Sequence, residues 1–339
     1  MDKKTVLITG GCGFLGQYLV NDLLKEFSDI FIKIIDLKSN SMAIFNHKKN
    51  ARVEILLNKD ICNYNSIKDD FKNIDTVIHL AGIVSFSLKD KDLLEKVNVC
   101  GTKNVVRAAN ENKISNLVHI SSVAALGYND DQNNPIDEEF KFNWGIAESK
   151  RKYYMLTKHL ADVAVNKGSK VNSLILYPGL MFGPGDVTNS VRLIKAIKYG
   201  KIPFNMPGGT NIVDVRDVSK GIIKAIKNKI TDGHYLLSGY NLEFLDINKR
   251  IAKQLSVIPP NHQLPRILNP IMFGLLLFME RISKNKLELT ADNIDSAFKF
   301  RYFSNNKAKT RFNWRPKISF EQTIKDTIDW MNKNDMFEK

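Results

Sequence analysis

The stretch KTVLITGGCGFLGQYLV, residues 4–20, carries the clearest structural signal in this chain of 339 residues. Apolar and β-favouring residues at positions 5–9 precede four glycines within seven positions, and the apolar pattern then returns. Glycine is costly inside regular structure, so such a cluster marks a backbone that turns tightly or approaches something closely. The stretch therefore predicts a strand, a tight turn and a helix.

The glycines of this turn suit the pyrophosphate of a dinucleotide. Gly10, Gly13 and Gly16 lie where the strand passes into the helix, and a second reading of the turn, GxGxxG, starts at Gly11. Such a turn lets a phosphate approach the backbone and meet unpaired N–H groups at the helix N-terminus. Asp36 ends the next predicted strand, 20 residues beyond Gly16, where a carboxylate accepts hydrogen bonds from the adenosine ribose. Because a carboxylate repels a 2′-phosphate, we expect NAD as cofactor; a lysine two positions further on leaves NADP open.

The first half of the chain alternates strand and helix patterns. Strands are predicted at 5–10, 30–36, 53–60, 75–82, 116–122 and 171–179, and helices at 14–27, 64–71, 91–111 and 150–166. Strands that alternate with helices of this length form a parallel sheet covered on both faces. After Gly179 proline and glycine become frequent, and helical patterns dominate from Ile247 onward.

We therefore predict an α/β fold: a doubly wound parallel sheet (Rossmann) with a smaller, mostly helical C-terminal substrate domain. The dinucleotide-binding domain covers residues 1–178 with a return segment at 211–240, and the substrate-binding domain covers 179–210 and 241–339. Ligands of doubly wound sheets bind at the carboxyl ends of the strands, so the smaller domain is expected to close over those ends.

The charge of the chain limits its partners. Lysine and arginine number 50 against 36 aspartates and glutamates, and the net charge of +14 favours anionic partners in general. The lysines are scattered through the sequence, which indicates a solvated basic surface. We expect a small-molecule substrate and no nucleic acid.

The cysteines and the first residues bear on location. Cys12, Cys62 and Cys100 form no CxxC pair and have no histidine at metal-ligand spacing, which argues against a disulfide framework and a metal site. The first residues lead directly into a strand, without the apolar region of a signal peptide. We expect a cytoplasmic protein without a bound metal.

The longest apolar run is IMFGLLLFM, Ile271 to Met279. It is well short of the roughly 20 residues that span a bilayer, so no integral membrane span is predicted. The run is expected to form a buried or substrate-covering helix, with a peripheral membrane contact as the alternative.

Tyr154 and Lys158 are four residues apart in a helical pattern, YYMLTKHLAD, and so share one face. A tyrosine with a pKa near about 10 is a poor base at neutral pH, and a nearby ammonium favours its phenolate form. The same lysine can hold a hydroxyl of the nicotinamide ribose. Taken alone, the pair also fits an exposed amphipathic helix with a chance tyrosine and lysine.

Ser121 and Ser122 end an apolar strand in VHISSVAALG. A hydroxyl at the carboxyl end of a central strand can bond a substrate oxygen whose charge changes, although a serine that caps the following turn fits the same pattern. The serines, the glycine turn and the tyrosine–lysine pair all fall at the same side of the predicted sheet.

Together these motifs resemble the extended short-chain dehydrogenase/reductase family over nearly the full chain. The resemblance implies that Tyr154 is the general acid/base, that Lys158 tunes it and binds ribose, and that Ser122 binds the substrate oxygen. The matching stretches are TGGCGFLG, HLAGIVSF (79–86), NVCGTKNVVRAA (98–109), HISSVAALG, the tyrosine–lysine pair, YPGLMFGPGD (177–186), NIVDVRDVSKGI (211–222) and FNWRP (312–316).

The resemblance also implies contacts to the cofactor. Asp60 and Ile61 would line the adenine pocket, and Asn98 would be structural or part of a relay. Family members are often dimers through two long helices, here 91–111 and 150–166, so a homodimer is expected. The full set of residues expected to bind the cofactor is Gly10, Gly13, Phe14, Leu15, Gly16, Asp36, Asp60, Ile61, Leu80, Ala81, Gly82, Asn98, Tyr154, Lys158, Pro178 and Leu180.

Departures from the family patterns narrow the reaction. Dehydratases of the family carry a Thr-Asp-Glu-like run after the catalytic strand, whereas this chain has Ser122, Val123 and Ala124, so dehydration is not expected. HLAGIVSF and ISSVAALG look more like the dihydroflavonol reductase and 3β-hydroxysteroid dehydrogenase branch. That branch transfers hydride between NAD(P) and a ketone or secondary alcohol of a largely apolar substrate. A nucleotide-sugar 4-epimerase with tightly bound NAD is the alternative, and a non-catalytic NAD-sensing or scaffold protein is the third hypothesis.

Overall fold

The computed structural model describes residues 4–38 and 50–337. Its strands are β1 (Lys4–Thr9), β2 (Ile30–Ile35), β3 (Val53–Leu56), β4 (Thr76–His79), β5 (Asn116–Ile120), β6 (Asn172–Pro178), β7 (Leu180–Phe182), β8 (Gly209–Asp214), β9 (Gly233–Leu237), β10 (Tyr240–Glu243) and β11 (Phe300–Arg301). Its helices are α1 (Phe14–Glu26), α2 (Tyr64–Ile67), α3 (Lys91–Leu94), α4 (Thr102–Glu111), α5 (Trp144–Ser149), α6 (Tyr153–Gly168), α7 (Ser190–Lys198), α8 (Val215–Lys227), α9 (Phe244–Leu255), α10 (Asn269–Ile282), α11 (Ala291–Ala297), α12 (Asn306–Phe312) and α13 (Phe320–Lys333).

The large sheet is parallel and has the strand order β3-β2-β1-β4-β5-β6-β9. The chain moves outward in one direction from β1 to β3 and in the other from β4 to β9. The point between β1 and β4, where the direction reverses, is where doubly wound sheets bind their ligands. The predicted fold class is therefore confirmed.

Helices cover both faces of this sheet. Along β1, Ile8 points into one core together with Leu19 of α1, and Leu7 points into the other together with Val105 of α4 and Val165 of α6. Alternate residues of a strand face opposite sides, so a strand covered on both faces is apolar throughout. This explains why the strands could be read as short apolar runs.

A second, small sheet is built around β8. This strand pairs in parallel with β7 and β11 and antiparallel with β10. Helices α7, α9 and α13 contact one another through a third core that contains Ile194, Ile247 and Ile324. The segment 211–240 thus contributes β8 to the small sheet, and then α8 and β9 to the layers of the large one.

The long helix predicted at 91–111 is continuous but not uniform. Between α3 and α4 the residues Glu95–Gly101 form π-helical turns. Such turns are rare and frequently occur at functional sites, and Asn98 lies within this one. The helix predicted at 150–166 begins at Tyr153, after Arg151 in a left-handed conformation with φ 54°.

Helix α10 differs from the buried helix expected for the apolar run. The side chains of Ile271, Leu275 and Phe278 are 66%, 59% and 58% exposed, and within α10 only Phe273 and Glu280 are buried. The expectation of a buried helix is wrong for this face, because the chain offers nothing that packs over it among residues 4–38 and 50–337. Within those residues, no helix combines the length and apolarity needed to cross a membrane.

Candidate active site at the carboxyl ends of the parallel strands

The glycine turn after β1 is tightly packed. Gly10 adopts a left-handed conformation, φ +68°, and its N–H donates to the Ile35 carbonyl at 2.9 Å. A Cβ at Gly10 would lie 2.6 Å from the Cα of Ala81, and a Cβ at Gly16 would lie 2.1 Å from the carbonyl oxygen of Gly11. A side chain at Gly10 would push the turn away from the segment after β4. A side chain at Gly16 would push α1 away from the turn.

The N-terminus of α1 is open to an anion. Gly13 is its N-cap and supplies no side-chain hydrogen bond. Phe14 and Leu15 form the first turn, with the Leu15 side chain in the core. Uncapped N–H groups of a first helical turn attract a phosphate, so this end of α1 fits the pyrophosphate expected from the sequence.

Asp36 lies beside the glycine turn. Its Oδ2 accepts a hydrogen bond from the Cys12 N–H at 3.0 Å, and its Oδ1 accepts one from the Leu37 N–H at 2.8 Å. Partial burial raises the pKa of Asp36, and these hydrogen bonds oppose that effect. Each carboxylate oxygen can accept a further hydrogen bond, as a ribose hydroxyl would require.

The other residues expected at the cofactor follow strands at the same edge. The Asp60 carboxylate accepts from the Cys62 N–H at 2.9 Å, and the Ile61 carbonyl accepts from the Asn104 side chain at 2.8 Å. The structure therefore brings segments from β1, β2, β3, β4 and β6 to one edge. Leu80, Ala81 and Gly82 follow β4, Pro178 ends β6, and Leu180 begins β7.

Asn98 joins the loop after β4 to helix α6. It is 2% exposed; its Oδ1 accepts from the Ile83 N–H at 2.9 Å, and its Nδ2 donates to the Ile83 carbonyl at 3.1 Å and to the Thr157 hydroxyl at 3.4 Å. The π-helical turns give this side chain its direction into the site. The contacts assign Asn98 a structural part, one of the two roles expected for it.

Tyr154, Ser122 and Lys158 come together at the carboxyl end of β5. The Ser122 hydroxyl accepts from the Ala124 N–H at 3.2 Å and also acts as a hydrogen-bonding neighbour of Tyr154. The serine therefore caps the turn, as one interpretation of the sequence has it, and its hydrogen bond to a substrate oxygen stays a prediction. The Lys158 ammonium is buried, and its Nζ donates to the Ile120 carbonyl at 3.5 Å.

Burial dominates the protonation of the pair on α6. It raises the pKa of Tyr154, while the hydrogen bond with Ser122 and the positive charge of Arg301 oppose the rise. Burial lowers the pKa of Lys158, and the charge of Asp162 opposes that effect. The tuning of Tyr154 by Lys158 stays a prediction. Tyr154 is held as a phenol, the form that donates a proton.

Asp162 was not among the predicted site residues. It lies one turn beyond Lys158 on the same face of α6 and is 4% exposed. Burial raises its pKa from 3.8 to about 6, against the lowering effect of the nearby Ser121 hydroxyl and of the charges of Lys158, His159 and His234. The spacing of four residues that joins Tyr154 to Lys158 extends to Asp162, and this repeat was the available signal.

Histidine and tyrosine side chains of the sheet surround this carboxylate. The Nε2 of His119, in β5, is 3.3 Å from the Oδ1 of Asp162, and burial together with the charge of Asp162 raises the pKa of Tyr177 in β6. His79, in β4, stacks 5.1 Å from His119 and bonds Thr9 at 2.6 Å. Burial lowers the pKa of both histidines well below its ordinary value, so both are neutral.

Phe86 packs against Tyr154, and the charge of Arg301 acts on it. The Phe86 ring meets the Tyr154 ring edge-on, with centroids 5.7 Å apart. Arg301 comes from β11, and its Nε is buried without a hydrogen-bond partner in the described part of the chain. Phe86 stood in a family motif without an assigned role, and Arg301 had no sequence signal because it enters the site from a distant element.

Comparison with known proteins gives relatives of nearly equal length. The sequence profile of the 3-beta hydroxysteroid dehydrogenase/isomerase family matches residues 7–259. The sterol-4-alpha-carboxylate 3-dehydrogenase, decarboxylating, of Bos taurus is 26% identical over 342 residues, which cover 96% of this chain and 92% of that protein.

Two further similarities concern a sugar 4-epimerase and NAD. The N-acetyl-alpha-D-glucosaminyl-diphospho-ditrans,octacis-undecaprenol 4-epimerase of Escherichia coli O157:H7 is 28% identical over 285 residues, 81% of this chain and 78% of that protein. The crystal structure of the Bordetella bronchiseptica enzyme WbmG in complex with NAD has a TM-score of 0.76 and 18% identity, and covers 98% of this chain and 95% of that one.

Proposed function

Because the chain belongs to the 3-beta hydroxysteroid dehydrogenase/isomerase family, we propose that it transfers a hydride between NAD(H) and a ketone or secondary alcohol of a small, partly apolar substrate. Membership confirms the resemblance seen in the motifs and makes the chain an enzyme of dehydrogenase type. The meeting of Tyr154 with Ser122, one turn from Lys158 and at the carboxyl end of β5, carries the proposal.

The cofactor would lie across the carboxyl edge of the large sheet. The open N-terminus of α1 would hold the pyrophosphate, and Asp36 the adenosine ribose. Asp60 and Ile61 would line the adenine, and Lys158 would hold the nicotinamide ribose. The remaining contacts would come from Leu80, Ala81, Gly82, Asn98, Pro178 and Leu180. When bound, the nicotinamide supplies or accepts the hydride.

The side chains of the site transfer the proton and stabilise the negative charge that develops on the substrate oxygen. In the reductive direction the Tyr154 hydroxyl gives its proton to the carbonyl oxygen, which becomes the alcohol hydroxyl. The Ser122 hydroxyl donates a hydrogen bond to the same oxygen as negative charge develops on it. The raised pKa of Tyr154 supports this direction at neutral pH, because the tyrosine is then fully protonated.

The relatives support an apolar substrate. One is named for a sterol carboxylate and another for a polyprenyl-linked sugar. Both names include a large hydrocarbon group, the sterol skeleton in one and a polyprenyl chain joined to the sugar through a diphosphate in the other. The edge-on contact of Phe86 with Tyr154 places an apolar ring where such a group would pack.

A nucleotide-sugar 4-epimerase is the second candidate. The E. coli relative supports 4-epimerisation, although its named substrate is a sugar linked through a diphosphate to undecaprenol. The two functions share the hydride and the proton but differ in the fate of the cofactor, since an epimerase regenerates it in each turnover. Denaturing the dialysed protein and identifying the released nucleotide separates them. We expect little retained nucleotide, tighter binding of NADH than of NADPH, and net NADH oxidation with one of a panel of 3-ketosteroids, dihydroflavonols and cyclic ketones. Stoichiometric retained NAD, without net NADH oxidation, would favour the epimerase.

Assembly, location and domain division are further proposals. A groove between α4 and α6 supports a homodimer through these helices, because Val99, Val106, Leu160 and Val163 line it. Light scattering of the protein and of a Val163→Glu variant tests the dimer. We also propose a cytoplasmic location. The proposed dinucleotide-binding domain covers residues 1–178 and 211–240, and the proposed substrate-binding domain covers 179–210 and 241–339.

A further inference from the structure

Exposed apolar side chains concentrate along one face of α10. Ile271, Leu275, Phe278 and Ile282 follow one another at helical spacing and are 66%, 59%, 58% and 65% exposed. Ile267, just before the helix, is 79% exposed and extends the line. Single exposed apolar residues are ordinary, whereas a contiguous apolar patch marks an interaction surface. These five residues are the α10 apolar stripe.

The opposite face of α10 is held in place. Phe273 is buried, with the Lys150 ammonium 4.2 Å from its ring centroid. The buried Glu280 carboxylate accepts hydrogen bonds from the Leu88 N–H at 3.2 Å and the Ala291 N–H at 2.9 Å. Because these contacts fix the rotation of the helix, the stripe is turned outward.

Positive charge collects at the C-terminal end of the stripe. Residues 281–289, RISKNKLEL, contain three basic residues and one acidic residue, all of them exposed. Lys89 adds a further cation, since its Nζ donates to two carbonyls of this segment at 2.6 Å and 3.2 Å. Asp90 forms an ion pair with Lys286 at 2.7 Å and so neutralises one of these four cations. The end of the helix remains cationic.

The same helix is joined to the active-site loop. Glu280 hydrogen-bonds Leu88, and two residues earlier in that loop Phe86 packs against Tyr154. A surface that contacts α10 therefore lies next to a segment that contacts the catalytic tyrosine.

We propose that the α10 apolar stripe and its basic end bind the surface of an anionic lipid bilayer, with α10 lying in the plane of the interface. An apolar helix face flanked by lysine and arginine is the pattern of interfacial helices. The local charge favours anionic lipid as the occupant, because the basic residues of 281–289 and Lys89 lie at the end of the stripe. Membrane binding is measured without turnover, so it stands or falls separately from the proposed reaction.

Sedimentation of the full chain with lipid vesicles tests the proposal. We expect the protein to bind vesicles of phosphatidylcholine mixed with phosphatidylserine, and to bind more weakly as salt is added. The double variant Leu275→Gln with Phe278→Gln should bind at least about tenfold more weakly, because it removes two apolar side chains from the interface. The matched control, Val187→Gln with Phe204→Gln, changes two exposed apolar side chains elsewhere and should bind like the original protein.

Three results would overturn the proposal. These are absence of binding to the phosphatidylserine vesicles, equal binding by the stripe variant, and a dimer in light scattering that the stripe variant dissociates. Unchanged melting temperatures of both variants would establish that they fold, because all four changed side chains are exposed.

Discussion

Lys158 and Asp162 lie one turn apart on the buried face of α6, and each offsets the cost of burying the other's charge. Asp162 raises the pKa of Lys158, which burial lowers, and Lys158 lowers the pKa of Asp162, which burial raises. The residue expected to hold the cofactor ribose thus depends on a carboxylate that lies beneath the site. Several consequences of this pairing can be measured.

Replacing Asp162 should change the alkaline limit of activity. In Asp162→Asn the pKa of Lys158 falls further, so the lysine loses its charge at a lower pH and the alkaline limb of kcat/KM moves to lower pH. The matched control is Asp217→Asn, a helical carboxylate that accepts hydrogen bonds from the N–H groups of Lys317 and Ile318. Asp217→Asn should lose stability, but the alkaline limb of its kcat/KM profile should not move. An unmoved limb in Asp162→Asn would contradict the pairing.

Asp162 should also make stability depend on pH in an unusual direction. Its pKa rises from 3.8 to about 6 on folding, so the folded state binds more protons between these values and stability falls as pH rises through them. The full effect is roughly 3 kcal/mol. Urea unfolding at about pH 4 and at neutral pH should show Asp162→Asn gaining stability relative to the original protein as pH rises. If the difference in free energy of unfolding between the two proteins is the same at both pH values, the raised pKa of Asp162 is refuted.

Arg301 should influence the oxidation of an alcohol. In that direction Tyr154 must accept a proton, and the charge of Arg301 lowers the pKa of the tyrosine. In Arg301→Met the pKa of Tyr154 rises, so the pH at which alcohol oxidation begins should move upward. Arg315→Met, at an exposed position, serves as the control and should leave the profile in place. A profile of Arg301→Met that coincides with the control would exclude this role.

Asn98 should support both stability and activity. Asn98→Ala leaves the backbone N–H and carbonyl of Ile83 without their partners, which should lower the free energy of unfolding by about 1–3 kcal/mol and loosen the loop after β4. Asn110→Ala removes hydrogen bonds near the surface, to Gly168 and Lys170, and should cost less. Chemical denaturation and kcat/KM check both variants. Equal losses in the two would argue against a special part for Asn98.

The parts of the site that are local in sequence could be predicted. The turn between β1 and α1 and the pair Tyr154 and Lys158 each depend on neighbouring residues, so their spacing carries the geometry. Ser122 was recognisable because it ends an apolar strand, and parallel strands end at one edge.

The parts that depend on packing between distant elements could not be predicted. Arg301 reaches Tyr154 from the small sheet, and His119 reaches Asp162 across the interface of sheet and helix. No spacing within the sequence encodes such contacts. The apolar run of α10 could be recognised in the sequence, but not which face of the helix is buried. That face is set by Glu280, whose hydrogen-bond partners lie in two other segments.

The kinetics of Tyr154→Phe show whether Tyr154 is the general acid. The substitution removes the hydroxyl that exchanges the proton and keeps the ring that packs against Phe86. With the best ketone from the substrate panel, kcat/KM for NADH oxidation should fall by about 10² to 10⁴-fold while NADH still binds. Tyr153→Phe, one residue away and facing Lys91, is the matched control and should keep its activity. If Tyr154→Phe turns over as fast as the control, Tyr154 is not the general acid and the proposed mechanism is wrong.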